Sequence, residues 1–314
     1  MISNKKFKKV LIRIIIAVLI FSVLSFAATK VIYDSIFSRY DCGNNSYSAE
    51  LEETISLRES VTYPSGENTL SGYLYQSKIP NNKNTLIVLA PGHNACTENY
   101  LWQIHELLAY GWSVFAFDTT GSCRSDGKTM IGFPQEVLDI KATLKFIENN
   151  DKLSYNNIVL LGHSRGGYAA CCSLAYGYDI SAVVSVSGIN SAMEGVIGAS
   201  AQYVGPLAYG NYSFLWLYQS MLFGSRTVNL RADKVISDSN VPVLLIHGAD
   251  DQKVPTDKYS IISHKAEIKN KNTEYFVRTA PYNSGHTDLL FSKDGTADDQ
   301  VIKKINDFLI KNIK

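Results

Sequence analysis

The sequence predicts an α/β protein: a mostly parallel sheet with helices on both faces, carried behind an N-terminal helix of membrane-crossing length. Three observations predict it. From about residue 57 to the C-terminus, short apolar runs alternate with stretches of helical periodicity, the pattern of a parallel sheet built from strand–helix–strand units. One of those runs, Ile158-Val159-Leu160-Leu161, ends in Gly162-His163-Ser164-Arg165-Gly166-Gly167 and passes into a stretch that can be helical. Ahead of everything, a Lys-rich N-terminus precedes a largely apolar run at residues 10–33.

The elements follow in order. Residues 1–34 read as a membrane anchor, since about 20 residues at 1.5 Å each span roughly 30 Å, the thickness of a bilayer core. Lys5, Lys6, Lys8, Lys9 and Arg13 lie at its start with no acid among them, and Asp34, Asp41 and Glu50 follow it. The positive-inside rule then keeps the N-terminus in the cytoplasm and places the rest outside the cell, with Arg13 snorkelling to the headgroups. The alternative is a cleaved signal peptide, with residues 14–24 as its apolar core and Ser25-Phe26-Ala27 before the cut. Both readings export the remainder, either anchored by a single pass or secreted. Residues 35–56 read as a polar connector, and residues 57–314 as the main domain.

Within that domain, residues 61–63 and 69–75 read as a hairpin around Pro64-Ser65-Gly66. Residues 85–90 read as a buried strand, 98–110 as a helix ending at Gly111, and 112–117 as the next strand. Pro134 opens a helix at a position where a missing N–H costs nothing; Val137, Ile140, Leu144 and Ile147 share one of its faces. A helix to about residue 176 follows the 158–161 strand. Strands at 180–186, 241–246 and 274–277 and an amphipathic helix at 297–313 complete the alternation. Residues 191–240 interrupt it with no clear strand and many aromatics: Tyr203, Tyr209, Tyr212, Phe214, Trp216, Tyr218 and Phe223. They predict a helical cap that closes over a site and lines an apolar pocket; the alternative is that the aromatics serve as ordinary core.

Composition excludes some classes. The net charge is +1, with no basic stripe and no basic–aromatic interleaving, which argues against nucleic-acid binding. No Cys/His spacing suggests a metal site, and no cofactor is expected. The five cysteines do not settle the compartment. Cys171 and Cys172 read as small buried apolar residues. Cys96 and Cys123 lie in loops after neighbouring strands, so a bond between them is sterically conceivable.

The chemistry is concentrated at strand ends. A strand, a Gly-x-Ser-x-Gly turn and a helix form a nucleophile elbow that lifts Ser164 above the sheet. A serine nucleophile needs a histidine base and a carboxylate to orient it. Asp251 follows the 241–246 strand, His286 follows the 274–277 strand, and Ser–acid–His is the order expected on such an elbow. Asp250 is the weaker candidate acid. Of the other histidines, His163 should point away from the nucleophile and His247 should be structural. His105 and His264 lie on helix-like stretches.

These motifs resemble the α/β-hydrolase family from about Leu57 to the C-terminus. Gly162-His163-Ser164-Arg165-Gly166 is similar to its elbow, His247-Gly248-x-x-Asp251-x-x-Val254-Pro255 to its acid loop, and Gly285-His286 to its base loop. Ala90-Pro91-Gly92-His93-Asn94 resembles its oxyanion loop, with Pro91 where many members have His. The loop from Asp118 to Ser125 resembles a further family motif, with Thr120 and Cys123 standing in for an Arg and a Gly. The resemblance implies a serine hydrolase that works through an acyl-enzyme on Ser164, with the backbone amides of His93 and Arg165 as oxyanion donors. The Arg165 side chain is expected in a local ion pair. A carboxylic ester is the expected substrate, with an apolar acyl group suggested by the cap. An amide or short peptide substrate, an acyltransferase, and a non-catalytic binding module on the same fold are the alternatives.

Overall fold

The computed structural model describes residues 4–43, 47–79, 83–292 and 295–313, without the side chains of residues 4, 5 and 202–204. Its first element is a long helix, α1 (Asn4–Ile36), followed by a short one, α2 (Ala49–Ser56), that Ser48 caps by accepting from the Leu51 amide. The strands β1 (Arg58–Ser65) and β2 (Asn68–Tyr75) form a hairpin longer than the sequence signals marked. Then come β3 (Thr85–Ala90), α3 (Leu101–Ala109), β4 (Ser113–Phe117) and α4 (Phe133–Glu148). The remaining strands are β5 (Asn157–His163), β6 (Ala182–Val186), β7 (Val243–Gly248) and β8 (Thr273–Arg278). Helix α5 (Arg165–Ser173) follows β5 directly, and α6 (Ala192–Val204), α7 (Leu207–Gly210), α8 (Tyr212–Val228) and α9 (Ala232–Ser237) lie between β6 and β7. The last helix is α10 (Asp299–Asn312).

The strands form one eight-stranded sheet in the order β1-β2-β4-β3-β5-β6-β7-β8. The hairpin is antiparallel and so is β2 against β4; every pairing from β4 through β3 to β8 is parallel. Strands covered on both faces must be apolar along their whole length, and β3, β4, β6 and β7 are buried at every position. Two apolar clusters lie on the two sides of the sheet. Leu86, Val88, Phe115 and Leu160 pack with α4 and α5, whereas Ile87, Leu89, Val114 and Val159 pack with α3 and α10. Because all parallel strands end on one side, the loops after β3, β5, β7 and β8 converge on a single crevice, where open α/β sheets bind their ligands.

The stretch expected as a polar connector is built into the body. The segment after α1 bridges Ser38 to Thr129 and Tyr40 to Ser122, and Arg39 donates to the carbonyls of Cys123, Ser125 and Gly127. Cys42 forms a disulfide with Cys123. The Cys96–Cys123 bond entertained from the sequence is therefore not formed. Cys96 is a buried free thiol whose pKa is pushed up to about 12 by burial and by nearby Asp118. Pairing with Cys42 could not be foreseen, because nothing local marked residues 38–42 as a segment that lies along the loop after β4.

Candidate active site

Ser164 sits between β5 and α5 with φ 55° and ψ −116°, a conformation that costs a non-glycine residue of order 1–3 kcal/mol and persists only when neighbours hold it. The neighbours are close. A Cβ on Gly162 would collide with the carbonyl of Gly166, and one on Gly166 would meet the carbonyls of Ala90 and Pro91. Both glycines are thus required by close backbone approach.

Three side chains from three loops meet here. The Ser164 hydroxyl lies 2.9 Å from Nε2 of His286, and Nδ1 of His286 lies 2.7 Å from Oδ2 of Asp251. Since a carboxylate can only accept, Nδ1 carries the proton toward Asp251, and Nε2 is left free to accept from Ser164. Asp251 is fixed from its other oxygen, which accepts from the amides of Lys253 (2.9 Å) and Val254 (2.8 Å). Burial works to raise its pKa, but hydrogen bonds from His247 and His286 outweigh burial and hold it below the usual carboxylate range. Asp250 is exposed and turned away; its carboxylate accepts from the Ser284 hydroxyl instead.

The loop after β3 lies against the serine. A Cβ on Gly92 would stand 3.5 Å from Cβ of Ser164. Among the described residues, the backbone amides of His93 and Arg165 donate to no acceptor. Arg165 begins α5, so its amide is one of the free donors at a helix start. Its side chain turns inward, pairs with the buried carboxylate of Glu136 on α4 and donates to Thr119 at 2.7 Å. The ion pair expected for Arg165 is present, and the guanidinium does not line the crevice. Burial raises the Glu136 pKa, and Arg165 opposes the rise.

Two histidines have structural partners that sequence patterns did not reveal. His163 does not simply point away. Its Nε2 lies 3.1 Å from the His286 carbonyl and its Nδ1 lies 2.9 Å from the Tyr100 hydroxyl, which accepts from the Gly92 amide at 2.8 Å. The carbonyl fixes the proton on Nε2, so Nδ1 accepts from Tyr100. This chain of bonds ties the Gly92 loop to the His286 loop. Burial, with His286 alongside, lowers the His163 pKa to about 3 and keeps it neutral. His247 places Nε2 2.9 Å from the Val254 carbonyl and 3.2 Å from Oδ2 of Asp251. It is a second donor to the acid; the His-x-x-x-Asp spacing was its only signal. His105 bonds Thr54, His264 lies among Glu194, Arg231 and Glu267, and neither histidine lines the cavity.

Ser164 and His286 open onto a cavity of about 1000 Å³. Its walls come from the Gly92 loop, from Val196, Ala199, Ala208 and Leu215 of the 191–240 insertion, and from Thr29, Tyr33 and Ile36 of α1. The aromatics of the insertion mostly do something else. Tyr218 and Phe223 are buried core residues, Trp216 packs on the core and bonds Asn229, and neither Phe214 nor Trp216 faces the cavity. The Tyr203 side chain lies outside the described residues.

A family model, serine aminopeptidase S33, matches residues 81–205. That segment holds the elbow and the Gly92 loop; Asp251 and His286 lie beyond it. Among solved structures, an esterase of Pyrococcus furiosus is similar with a TM-score of 0.65 and 20% identity, covering 88% of this chain and 99% of that one. Est1E of Butyrivibrio proteoclasticus with ferulic acid bound gives 0.60 and 18%, over 81% and 99% of the two chains. A proline iminopeptidase of Mycobacterium smegmatis gives 0.54 and 14%, over 81% and 98%. No curated protein sequence matches the chain. The chain has the α/β-hydrolase fold, and its residues 81–205 resemble that family. The family-model match supports a hydrolase.

Proposed function

We propose that the protein is a serine hydrolase that cleaves a carboxylic ester through an acyl-enzyme on Ser164. The observation that carries this reading is the unbroken hydrogen-bond chain from Ser164 through His286 to Asp251 at the floor of a deep cavity. His286 takes the Ser164 proton as Oγ attacks the acyl carbonyl. The resulting oxyanion is stabilised by the otherwise free amides of His93 and Arg165. His286 then gives its proton to the leaving alcohol. Water, deprotonated by the same imidazole, adds to the acyl-enzyme and releases the acid. Asp251 stays ionised throughout and holds the imidazole in its productive tautomer.

An amide or short peptide is the second reading, because the matched family model is an aminopeptidase. The cavity favours the ester. An enzyme that trims a free N-terminus needs a carboxylate for the ammonium group. Among the described residues lining the cavity there is no Asp or Glu, and Lys253 is the lysine or arginine there. The same apolar walls support an apolar acyl group.

The helix α1 is long and apolar enough to cross a membrane. We read it as a single-pass anchor with the hydrolase outside the cytoplasm, or as a signal segment with the same outcome. The cations before the span and the Cys42–Cys123 disulfide, a bond typical of oxidising compartments, both support export. Protease added to intact cells should digest the hydrolase domain; protection until lysis would contradict the orientation.

The test of the chemistry is turnover of p-nitrophenyl esters of rising chain length beside aminoacyl anilides. The reading requires ester turnover that Ser164→Ala abolishes. Faster anilide than ester turnover would favour the amide reading, and activity surviving in Ser164→Ala would sink both.

A further inference from the structure

α1 is joined to the body as a rigid part. Phe26 and Tyr33 pack edge-to-face on Tyr218 of α8, with centroids 5.9 and 5.3 Å apart. The Tyr218 hydroxyl donates to Asp34 at 2.7 Å. Just past the helix, Phe37 is fully buried against Phe133, the Met130 amide donates to its carbonyl, and the disulfide at Cys42 closes the joint. A flexible tether would need none of this.

The rest of α1 is bare. From Lys6 to Phe21 every residue is exposed, and so are Val23 and Leu24. Residues 10–27, the part of the helix beyond the N-terminal lysines, make about 27 Å, close to the roughly 30 Å of a bilayer core. The bilayer surface then falls near Phe26, where the helix meets the body. The cavity begins one turn further on, at Thr29. Val31 and Ile32 line it and yet are 66% and 46% exposed, as residues at an open rim are. On the insertion side, Leu207, Tyr209 and Tyr212 flank the cavity-lining Ala208 and Asn211 and are also exposed. Exposed apolar side chains thus stand on both sides of the opening, and those of α1 run on into the bare helix, which makes lipid the medium they face.

We propose that the opening between α1 and the insertion lies at the bilayer surface, and that the substrate is a membrane-resident acyl amphiphile whose chain passes from the lipid over Val31 and Ile32 into the cavity. The anchor helix is thereby a wall of the acyl site and a determinant of what it accepts. The choice of substrate rests on the hydrolase reading; the route of entry does not.

The experiment places the full-length Ser164→Ala chain in phospholipid nanodiscs containing a lipid with a diazirine on its acyl chain. After irradiation, adducts are mapped by mass spectrometry. Adducts are expected on cavity residues such as Val196, Ala199 and Leu215 as well as along residues 10–27. In a Val31→Asp, Ile32→Asp chain the cavity adducts should fall at least about fivefold while those on residues 10–27 persist, because a charged rim rejects an apolar chain. Adducts confined to residues 10–27, or cavity adducts indifferent to the double substitution, would overturn the route. With Ser164 intact, the double variant should lose about tenfold more in kcat/KM for a long-chain ester in the nanodisc than for a soluble acetyl ester. Equal losses on both esters would also overturn it. A parent chain inert toward both esters would overturn the hydrolase reading alone, since the cross-linking uses no catalysis.

Discussion

The loops at the ends of β5, β7 and β8 and the surface formed by α1 with the insertion are built on opposite principles. At the strand ends, each candidate catalytic side chain sits within a few residues of a buried strand, and backbone contacts fix its position. Asp251 is held by two amides, the His286 loop is tied to His163 and Ser187, and Ser164 is pinned by glycine contacts. The cavity wall instead joins segments about 180 residues apart in sequence, through side-chain packing such as Tyr33 on Tyr218. The first arrangement suits chemistry, which fails if reacting atoms shift by an ångström. The second suits selection, where apolar area matters more than angle.

The largest effects should come from breaking the strand-end region. Ser164→Ala and His286→Ala should each lower ester kcat by about 10⁴-fold or more, and the double variant should be little worse than either, because the residues act as one unit. Additive losses measured on folded protein would mean that the two act separately. The acids separate next. Asp251→Asn should cost about 10³–10⁴-fold by removing the acceptor that sets the imidazole tautomer. Asp250→Asn, which alters only the contact with Ser284, should stay within about threefold. The reverse ranking would reassign the acid.

A smaller effect concerns the buried joint between the two active-site loops. His163 and His93 both have pKa values lowered to about 3 by burial, His286 adding to the effect on one and Arg165 on the other. The unfolded chain binds protons at both from about pH 6.5 downward, whereas the folded chain does not. Their share of stability is complete above about pH 6.5 and is lost as pH falls toward 3; the share from Asp251 goes lower still, below about pH 4. Thermal midpoints should therefore drop between pH 7 and pH 4, and His163→Asn should flatten that slope while lowering the midpoint at pH 7. An unchanged slope would mean that His163 is not the neutral link described.

The smallest effect belongs to the cavity wall. Leu215→Ala should weaken discrimination between butyryl and octanoyl esters, at about 0.8 kcal/mol or roughly fourfold in kcat/KM per CH₂ that loses contact. It should leave acetyl ester turnover near the parental value. Trp216→Ala should do the opposite, lowering the thermal midpoint without reshaping the chain-length profile. A profile that responds to Trp216 and ignores Leu215 would exchange their roles.

These contrasts explain what the sequence disclosed. The sheet, its helices and the strand-end loops were legible because each is signalled by its own local run of residues, and the insertion was legible as a break in their alternation. The meeting of Ser164, Asp251 and His286 followed from their order and from strand ends sharing one side. The Cys42–Cys123 bond, the packing of residues 37–42 along the 121–130 loop and the part α1 takes in the cavity were not legible. Each depends on where a distant segment lands. Even there a trace existed: Thr29, Lys30, Tyr33 and Asp34 interrupt an otherwise apolar helix at its exit, where packing and polar contacts begin. The aromatics of the insertion misled, because large rings suit a pocket and a core equally well, and only packing decides between them.

The most direct measurement is the reaction of the full-length protein with a fluorophosphonate probe, followed by intact mass and peptide mapping. The account predicts one adduct, on Ser164, absent in Ser164→Ala and slowed by at least about 10²-fold in His286→Ala, because the imidazole must take the serine proton. Failure to react, or an adduct on another residue that survives Ser164→Ala, would contradict it.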